Sequence, residues 1–279
     1  MLHTPRFRSL VGLIVASAVC LTPSPWSVKA HEVWIEPERF SLITGSIAKA
    51  DIKNGEKFSG LALYYNPEST ARLERHSRDG LATLDGRLGD TPAITTRPLR
   101  DGLHVLVYQS KPTDIFYAEF EKFARFAEEK GFAEVAARHA ARGLPRDGFR
   151  EVYARFAKAL FAVGPGLGFD EPLGLETEIV ALDNPYALTG NSMRVAVTYQ
   201  RKPRAHARLT VFARNGDGDV SVSTVKTDAA GLAVVPVSPG STYLLDAVVL
   251  RAPDAALAKS SRAVWETLWA SLTFQIPAR

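Results

Sequence analysis

Cysteine is almost absent from this chain. Cys20 is the only cysteine among the 279 residues, and it lies in an apolar run near the N-terminus. If that run is removed as a signal peptide, the mature protein has no thiol, which excludes a disulfide-linked partner, a thiolate nucleophile and a cysteine metal ligand. Any metal ion must then be held by nitrogen and oxygen atoms.

The chain also lacks a large excess of one charge. Its formal charge is +4, and three of the cations, Arg6, Arg8 and Lys29, precede the expected signal cleavage site, so that the mature chain keeps a charge of only +1. We therefore expect no nucleic-acid partner, despite the basic isoelectric point of the full chain. The sequence contains neither a Gly-x-Ser-x-Gly nucleophile motif nor an HExxH zinc motif, and we expect a protein that is not an enzyme.

The N-terminal 30 residues have the composition of a secretory signal peptide. Arg6 and Arg8 stand without an acidic residue, Leu10–Leu21 is almost wholly apolar, and Val28 and Ala30 suit a signal peptidase. The apolar run is too short for a permanent transmembrane helix. The sequence thus predicts removal of residues 1–30 and a periplasmic mature protein.

Cleavage after Ala30 would make His31 the first residue of the mature protein. A free α-amine and an imidazole on one residue can bind a metal ion together, because both lose their protons near neutral pH. An alternative is a lipoprotein signal that uses Cys20, although Val19 is a poor residue before a lipidated cysteine. That route would leave His31 inside the chain.

The periodicity of apolar residues divides the mature chain into three zones. Residues 31–111 contain short alternating runs separated by turn residues, which predict an N-terminal β-domain. Residues 112–164 carry aromatic residues at helical spacing, in Phe116–Ala127 and again in Phe149–Phe161, and predict a helical segment whose aromatic stripe belongs to the core.

The third zone, residues 173–276, again has strand character. Its short apolar runs are separated by turn clusters such as Asn215–Gly218 and Asp228–Gly231. Six or seven strands at this interval predict an immunoglobulin-like or transthyretin-like β-sandwich. The whole chain is therefore predicted to be mainly β, with an N-terminal β-domain, a helical insertion and a C-terminal sandwich.

Several segments, spread in order over nearly all of the mature chain, carry a resemblance to one family of secreted bacterial proteins. They are His31–Pro37 (HEVWIEP), Gly102–Tyr108 (GLHVLVY), the run from Phe120 through Gly131, Ala157–Leu160, Asp183–Pro185, Thr227–Gly231 and Trp265–Phe274. The chain resembles the domain of unknown function 4198 family, which is commonly labelled the periplasmic component of a nickel-uptake transporter. That label implies handling of nickel or cobalt, and release to a membrane transporter component.

The resemblance and the residue types together suggest three metal ligands. His31 would chelate through its amine and ring, His104 is a histidine in an otherwise apolar strand, and Glu266 could supply oxygen or could be a buried hydrogen-bond acceptor. Members of the family tend to have a histidine in the strand before the closing segment, where this chain has Ala247–Leu250. Nitrogen and oxygen ligands suit nickel and cobalt, and equally copper or zinc, so the residues alone do not identify the metal.

Two other functions agree with the same residues. The sandwich could be a non-enzymatic interaction module for a carbohydrate, a peptide or an envelope partner, because this fold hosts many functions. An oxidative copper centre at His31 would need a second histidine nearby and an open substrate face. A metal-handling role requires His31 to lie near His104 or a carboxylate.

Overall fold

The structure, a computed structural model, describes Met1 and residues 31–278. The predicted signal peptide thus lies outside the described residues, except for Met1. The strands are β1 (Glu32–Pro37), β2 (Ser41–Leu42), β3 (Lys49–Glu56), β4 (Ser59–Leu63), β5 (Thr70–Ser77), β6 (Gly80–Thr83), β7 (Ile94–Thr95), β8 (Gly102–Ser110), β9 (Thr113–Tyr117), β10 (Phe149–Val163), β11 (Thr177–Ala181), β12 (Ser192–Tyr199), β13 (Lys202–Pro203), β14 (Arg208–Arg214), β15 (Val220–Lys226), β16 (Leu232–Pro236), β17 (Thr242–Arg251) and β18 (Ala263–Gln275). The helices are α1 (Phe120–Glu129), α2 (Val135–Ala141) and α3 (Ala255–Ser261). No helix in the described part of the chain is long and apolar enough to cross a membrane.

The described strands form one large central sheet and two small sheets. The central sheet has ten strands, with the order β15-β14-β17-β18-β10-β8-β5-β6, while β2 and β9 also pair with β10. The first small sheet contains β1, β3, β4 and β7, and the second contains β11, β12, β13 and β16. The pairing of β10 with β18 is parallel, whereas β17 pairs with β18 antiparallel.

Apolar cores cover both faces of the central sheet. On one face, Val195 and Val235 of the second small sheet pack with Leu245 and Leu268. On the other face, the first small sheet packs over one half, and helices α1 and α2 pack over Trp265 and Trp269 in the other half. The chain is therefore mainly β with sandwich-like sheets, as the sequence predicts.

The helical prediction for Phe149–Phe161 is wrong, because this segment lies in strand β10. This segment is a fifteen-residue strand with almost every residue buried. Phe156 contacts the core on one side of the central sheet and Phe161 the core on the other. A strand that is covered on both faces has no polar alternation, and its apolar residues can fall at helical spacing by chance. Within residues 112–164, only α1 and α2 are helical.

The two predicted β zones share the central sheet. Strands β5 and β8 come from residues 31–111, β14, β17 and β18 come from residues 173–276, and β10 joins the two groups. The core continues across the predicted boundaries because β10 pairs with β8 on one side and with β18 on the other.

A fully buried lysine ties the segment after β10 to the sheet. The Nζ of Lys158 donates to Oδ2 of Asp170 at 2.9 Å and to Oε1 of Glu178 at 2.9 Å. The same carboxylates accept backbone N–H groups of Ala181 and Leu173. Because the ammonium and both carboxylates are satisfied, this group links β10 of the central sheet to Asp170 in the connecting segment and to Glu178 of β11 in the second small sheet.

Substituting Lys158 by Met tests this role. We expect Lys158→Met to lower the free energy of unfolding by about 3–5 kcal/mol, because two buried carboxylates lose their cation. The exposed Lys226→Met is the control and should change stability by no more than about 0.5 kcal/mol. Urea denaturation of the mature protein measures both. A loss for Lys158→Met no larger than that of the control would contradict the assignment.

Candidate functional site

His31 directly precedes the first strand. It is half-buried, and burial becomes complete at the next residues, Glu32 to Ile35. The side chain of Glu32 reaches Lys130, and the carbonyl oxygen of Val33 accepts a hydrogen bond from the Ser271 hydroxyl at 2.7 Å. The chain is therefore fixed to the protein body from Glu32 onward.

His104 lies in the core of β8 with both ring nitrogens engaged. Its ring stacks on Phe161 at a centroid distance of 5.2 Å. The Arg75 guanidinium lies 3.1 Å from Nδ1, and the carbonyl oxygen of Arg100 lies 2.9 Å from Nε2. Since Arg75 can only donate, Nδ1 accepts and Nε2–H donates to the carbonyl. Burial lowers the pKa of His104 and keeps the ring neutral.

Glu266 is bound on both carboxylate oxygens by one arginine. Arg251 donates from Nε to Oε2 at 2.6 Å and from Nη2 to Oε1 at 2.8 Å, and it also contacts Glu176 and Tyr199. This hydrogen bonding to Glu266 is the main reason why the pKa of Arg251 is raised. The interaction supports the structural role that the sequence allows for Glu266.

His104 and Glu266 point to opposite faces of the central sheet. The neighbours of Glu266 along its face, such as Leu268, pack under the second small sheet. His104 instead alternates with Val105, so that it shares a face with Leu106 under the first small sheet. These two predicted ligands therefore do not meet, and within the described residues no group of three or more His, Cys, Asp or Glu side chains could hold a metal ion.

A charged cluster that the sequence analysis did not find lies under α1, next to the start of β1. We call it the polar seam, and it contains Glu32, Lys130, Glu151, Arg155 and Asp246. Lys130 donates to Glu32 at 2.6 Å and to Asp246 at 2.8 Å. Burial alone would lower the pKa of Lys130, but the two carboxylates outweigh it and raise the pKa. Lys130 therefore stays protonated and links α1, β1 and β17.

Arg155 is the least satisfied charge of the polar seam. It is 8% exposed, and its guanidinium lies 4.0 Å from the ring centre of Trp269 and 4.9 Å from that of Tyr153. Among the described residues, its Nε and Nη1 atoms have no hydrogen-bond partner. Burial lowers the pKa of Arg155, as expected for a cation with too few partners.

Glu151 is the buried acid of the polar seam. Its Oε1 accepts a hydrogen bond from Thr267, whose hydroxyl in turn accepts from the Trp269 indole at 3.0 Å. Its Oε2 has no partner within the described residues. Burial raises the pKa of Glu151 to about 7, although the hydrogen bond from Thr267 opposes the rise.

The sequence offered a weak signal for the polar seam. Glu151 and Arg155 stand between apolar residues of β10, in a segment that the sequence analysis predicts to be helical. Lys130 lies at the end of α1, where a lysine is ordinary on a helix terminus. Only the packing of α1 on the central sheet brings these charges together.

Strand β15 is an exposed edge of the central sheet. It pairs with β14 alone among the described strands, and the four residues from Ser221 to Thr224 are exposed. An open groove of about 680 Å³ separates it from the second small sheet, with serines and asparagines among its lining residues. Edge strands are usually shielded by charge, proline or a bulge, whereas β15 has Lys226 at one end as its only charged residue.

The carboxyl of Glu151 should make stability depend on pH. Its pKa is about 7 in the folded protein against an ordinary 4.5. The folded protein thus binds more protons than the unfolded chain between these values, and unfolding free energy falls by about 3 kcal/mol through this group as pH rises from about 4.5 to 7. The variant Glu151→Gln has no carboxyl at this position, so its unfolding free energy does not fall in this way. Its unfolding free energy minus that of the wild type should therefore rise by about 3 kcal/mol between pH 4.5 and pH 8, as measured by urea denaturation.

The exposed Glu129→Gln is the control for this experiment. Its difference from wild type should stay nearly constant over the same range, because Glu129 lies at the surface. A constant difference for Glu151→Gln as well would show that the pKa of Glu151 in the folded protein equals that in the unfolded chain.

Comparison with known proteins identifies a family but no activity. No curated protein matches the chain. Among solved structures, it is similar to a two-domain fibronectin type III segment of chicken tenascin, at 15% identity and a TM-score of 0.21, covering 79% of this chain and 89% of that one. It is also similar to the D0-D1 domain of intimin, at 14% identity and a TM-score of 0.20, covering 86% and 97%. These low scores carry no argument about domain arrangement or function.

The family match covers most of the chain. A family model described as a domain of unknown function matches residues 28–251, a range that includes the whole polar seam, His31 and His104. This description assigns no ligand, so that nickel uptake stays a prediction from the resemblance. On this match, the chain belongs to the DUF4198 family.

Proposed function

We propose that this protein is a periplasmic, non-enzymatic metal-handling component that takes up its ion at His31. The observation that carries the proposal is the position of His31 at the start of β1, without an intervening linker. Cleavage after Ala30 would leave the new amine next to a buried and anchored strand.

The anchoring of β1 would hold the amine and the ring in one place. Glu32 is bound by Lys130, and Val33 is bound by Ser271. Consecutive Cα atoms are about 3.8 Å apart, so His31 cannot move far from this anchor. A fixed N-terminal residue loses less conformational entropy when it binds an ion than a mobile one does.

Two nitrogen donors on one residue give an exchangeable site. They suit nickel, cobalt, copper and zinc, and copper binds most tightly in the usual order of stability. The remaining coordination positions stay open to water or to a donor from a transporter component, which favours transfer over storage. His104 and Glu266 take no part, since Arg75 and Arg251 occupy them. Protons compete for both donors, so acid releases the ion.

The N-terminal chelate predicts a specific loss of metal binding. Mature protein that begins at His31 should bind nickel with one ion per chain in calorimetry at pH 7.5. A four-residue Gly-Ser extension before His31, which moves the amine away from the ring, should weaken binding at least tenfold, or about 1.4 kcal/mol. His31→Ala should weaken nickel binding to a similar extent, because it removes the imidazole and leaves the amine as the only donor of this residue.

The exposed His206→Asn is the matched control and should bind like wild type, because His206 lies far from β1 in the chain and is exposed. Equal binding by the extended protein and by wild type would refute the chelate. The absence of nickel, cobalt, copper and zinc binding in wild type would refute the metal-handling role altogether.

The exposed edge of β15 favours a second candidate, an interaction module that binds an extended polypeptide by strand addition. The outer N–H and C=O groups of an edge strand match another strand and little else. Lys226 ends β15 beside Arg208, its partner on β14, while Asp219 precedes β15. A strand that runs antiparallel to β15, with an acid at its N-terminal end and a base at its C-terminal end, would therefore match both charges.

A synthetic peptide with the sequence of residues 219–227 tests this candidate, since an antiparallel copy has the matching charges. Binding should shift the backbone amide resonances of β15 in the NMR spectrum. Val222→Lys should abolish the shifts, because Val222 is 45% exposed and lysine on an edge blocks pairing. The exposed Leu88→Lys is the control and should leave them unchanged. Peptide shifts spread over other strands, or none at all, would exclude strand addition.

A further inference from the structure

A pocket of about 210 Å³ opens between the first small sheet and the central sheet. Ile52 of β3 and Leu63 of β4 form the apolar part of its wall. The rest of the wall comes from the β4–β5 connection, the start of β5 and β8, namely Tyr64, Tyr65, Asn66, Ser69, Thr70 and Tyr108. We call it the tyrosine pocket. None of the described residues that line it is charged, so a charged occupant would lose water without gaining a partner.

The Tyr65 ring is held in place at this pocket. The backbone N–H of Tyr65 donates to the carbonyl oxygen of Asp90 at 2.9 Å, and its own carbonyl oxygen accepts from the N–H of Gly89 at 2.9 Å. A Cβ atom at Gly86 would lie 2.8 Å from two atoms of the Tyr65 ring, so glycine lets the next loop pack directly against it. The pocket is therefore formed before a ligand arrives, which lowers the entropic cost of binding.

A β-bulge brings Thr70 to the face of the central sheet that lines the pocket. Thr70 pairs with Ser110, and Leu73 pairs with Tyr108, so three steps along β5 match two steps along β8. Ser110 and Tyr108 share a face of the sheet, because alternate residues of a strand point the same way. Without the extra residue, Thr70 would lie on the opposite face, away from Tyr108.

The polar groups of the pocket include both donors and acceptors. The Ser69 and Thr70 hydroxyls donate to the carbonyl oxygen of Asn66 at 3.3 and 2.7 Å, so their oxygen atoms remain able to accept. The Oδ1 atom of Asn66 accepts the backbone N–H of Glu68 at 2.9 Å, which leaves the side-chain NH₂ group as a donor. The Tyr108 hydroxyl has no hydrogen-bond partner among the described residues, and burial raises its pKa, so that it keeps its proton.

We propose that the tyrosine pocket binds a neutral hexopyranose ring. Each hydroxyl of such a sugar both donates and accepts, which matches the mixture of groups on Asn66, Ser69 and Thr70. Its C–H groups pack on aromatic rings, and Tyr64 is 57% exposed and available for this contact. Pockets for drug-sized ligands measure about 300–1,000 Å³, so a volume of about 210 Å³ limits the occupant to one ring. The site is separate from His31 and does not depend on metal binding.

NMR titration of the isotope-labelled mature protein with D-glucose, D-galactose, D-mannose and N-acetyl-D-glucosamine is the first test. At least one sugar should shift the backbone amide resonances of residues 64–70 and of Tyr108 saturably. Sorbitol should bind about tenfold more weakly than that sugar, because an open chain loses more conformational entropy. No saturable shift with any of these sugars, or shifts confined to other residues, would overturn the proposal.

The compound p-cresol tests whether the pocket instead takes an apolar ring, such as the aromatic side chain of a partner protein. It lacks the array of hydroxyls that a sugar has, so it should bind more weakly than the best sugar. Saturable shifts of residues 64–70 with p-cresol alone would overturn the proposal in favour of an aromatic ligand.

Variants then locate the sugar. Tyr64→Ala should weaken binding about tenfold through the lost ring contact. Tyr108→Phe keeps the ring and should weaken binding about fivefold through the lost hydroxyl. The control is Phe116→Ala, since Phe116 is 54% exposed on β9, and it should bind like wild type.

Wild-type affinity in both tyrosine variants would overturn the proposal, and so would equal weakening in Phe116→Ala. If Tyr108→Phe does not fold, as its melting temperature would show, the comparison of Tyr64→Ala with Phe116→Ala decides alone.

Discussion

Burial of β10 on both faces is the constraint on which the rest of the structure depends. This strand pairs in parallel with β18 and antiparallel with β8, so it joins the two β zones of the chain. Because a sheet interior of this kind must be covered on both sides, the second small sheet packs on one face while the first small sheet and α1 pack on the other. The order of strands, the place of the helices and the position of the polar seam all follow from this requirement.

Strand β10 carries two buried cations, and they differ in how many hydrogen-bond partners they have. Lys158 faces the second small sheet and has two carboxylates within 2.9 Å. Arg155 faces the opposite side, stacks on Trp269, and keeps two nitrogens unpaired. Both lose hydration on burial, and only Lys158 recovers it within the described residues. The group around Lys158 offsets the cost of its own burial, while the group around Arg155 leaves part of that cost uncompensated.

The sequence predicts most of the strands but not the site that lies among them. Val33–Ile35, Leu103–Tyr108 and the strands after residue 173 alternate or are bounded by turns, and the structure has strands there. β10 escaped prediction because burial on both faces erased the alternation that marks a strand. The polar seam escaped for a related reason: Glu32, Lys130 and Asp246 are far apart in the chain, and only the docking of α1 brings them together. The sequence makes His104 a candidate ligand, because no local pattern shows that Arg75 and the carbonyl oxygen of Arg100 occupy its two ring nitrogens in the folded protein.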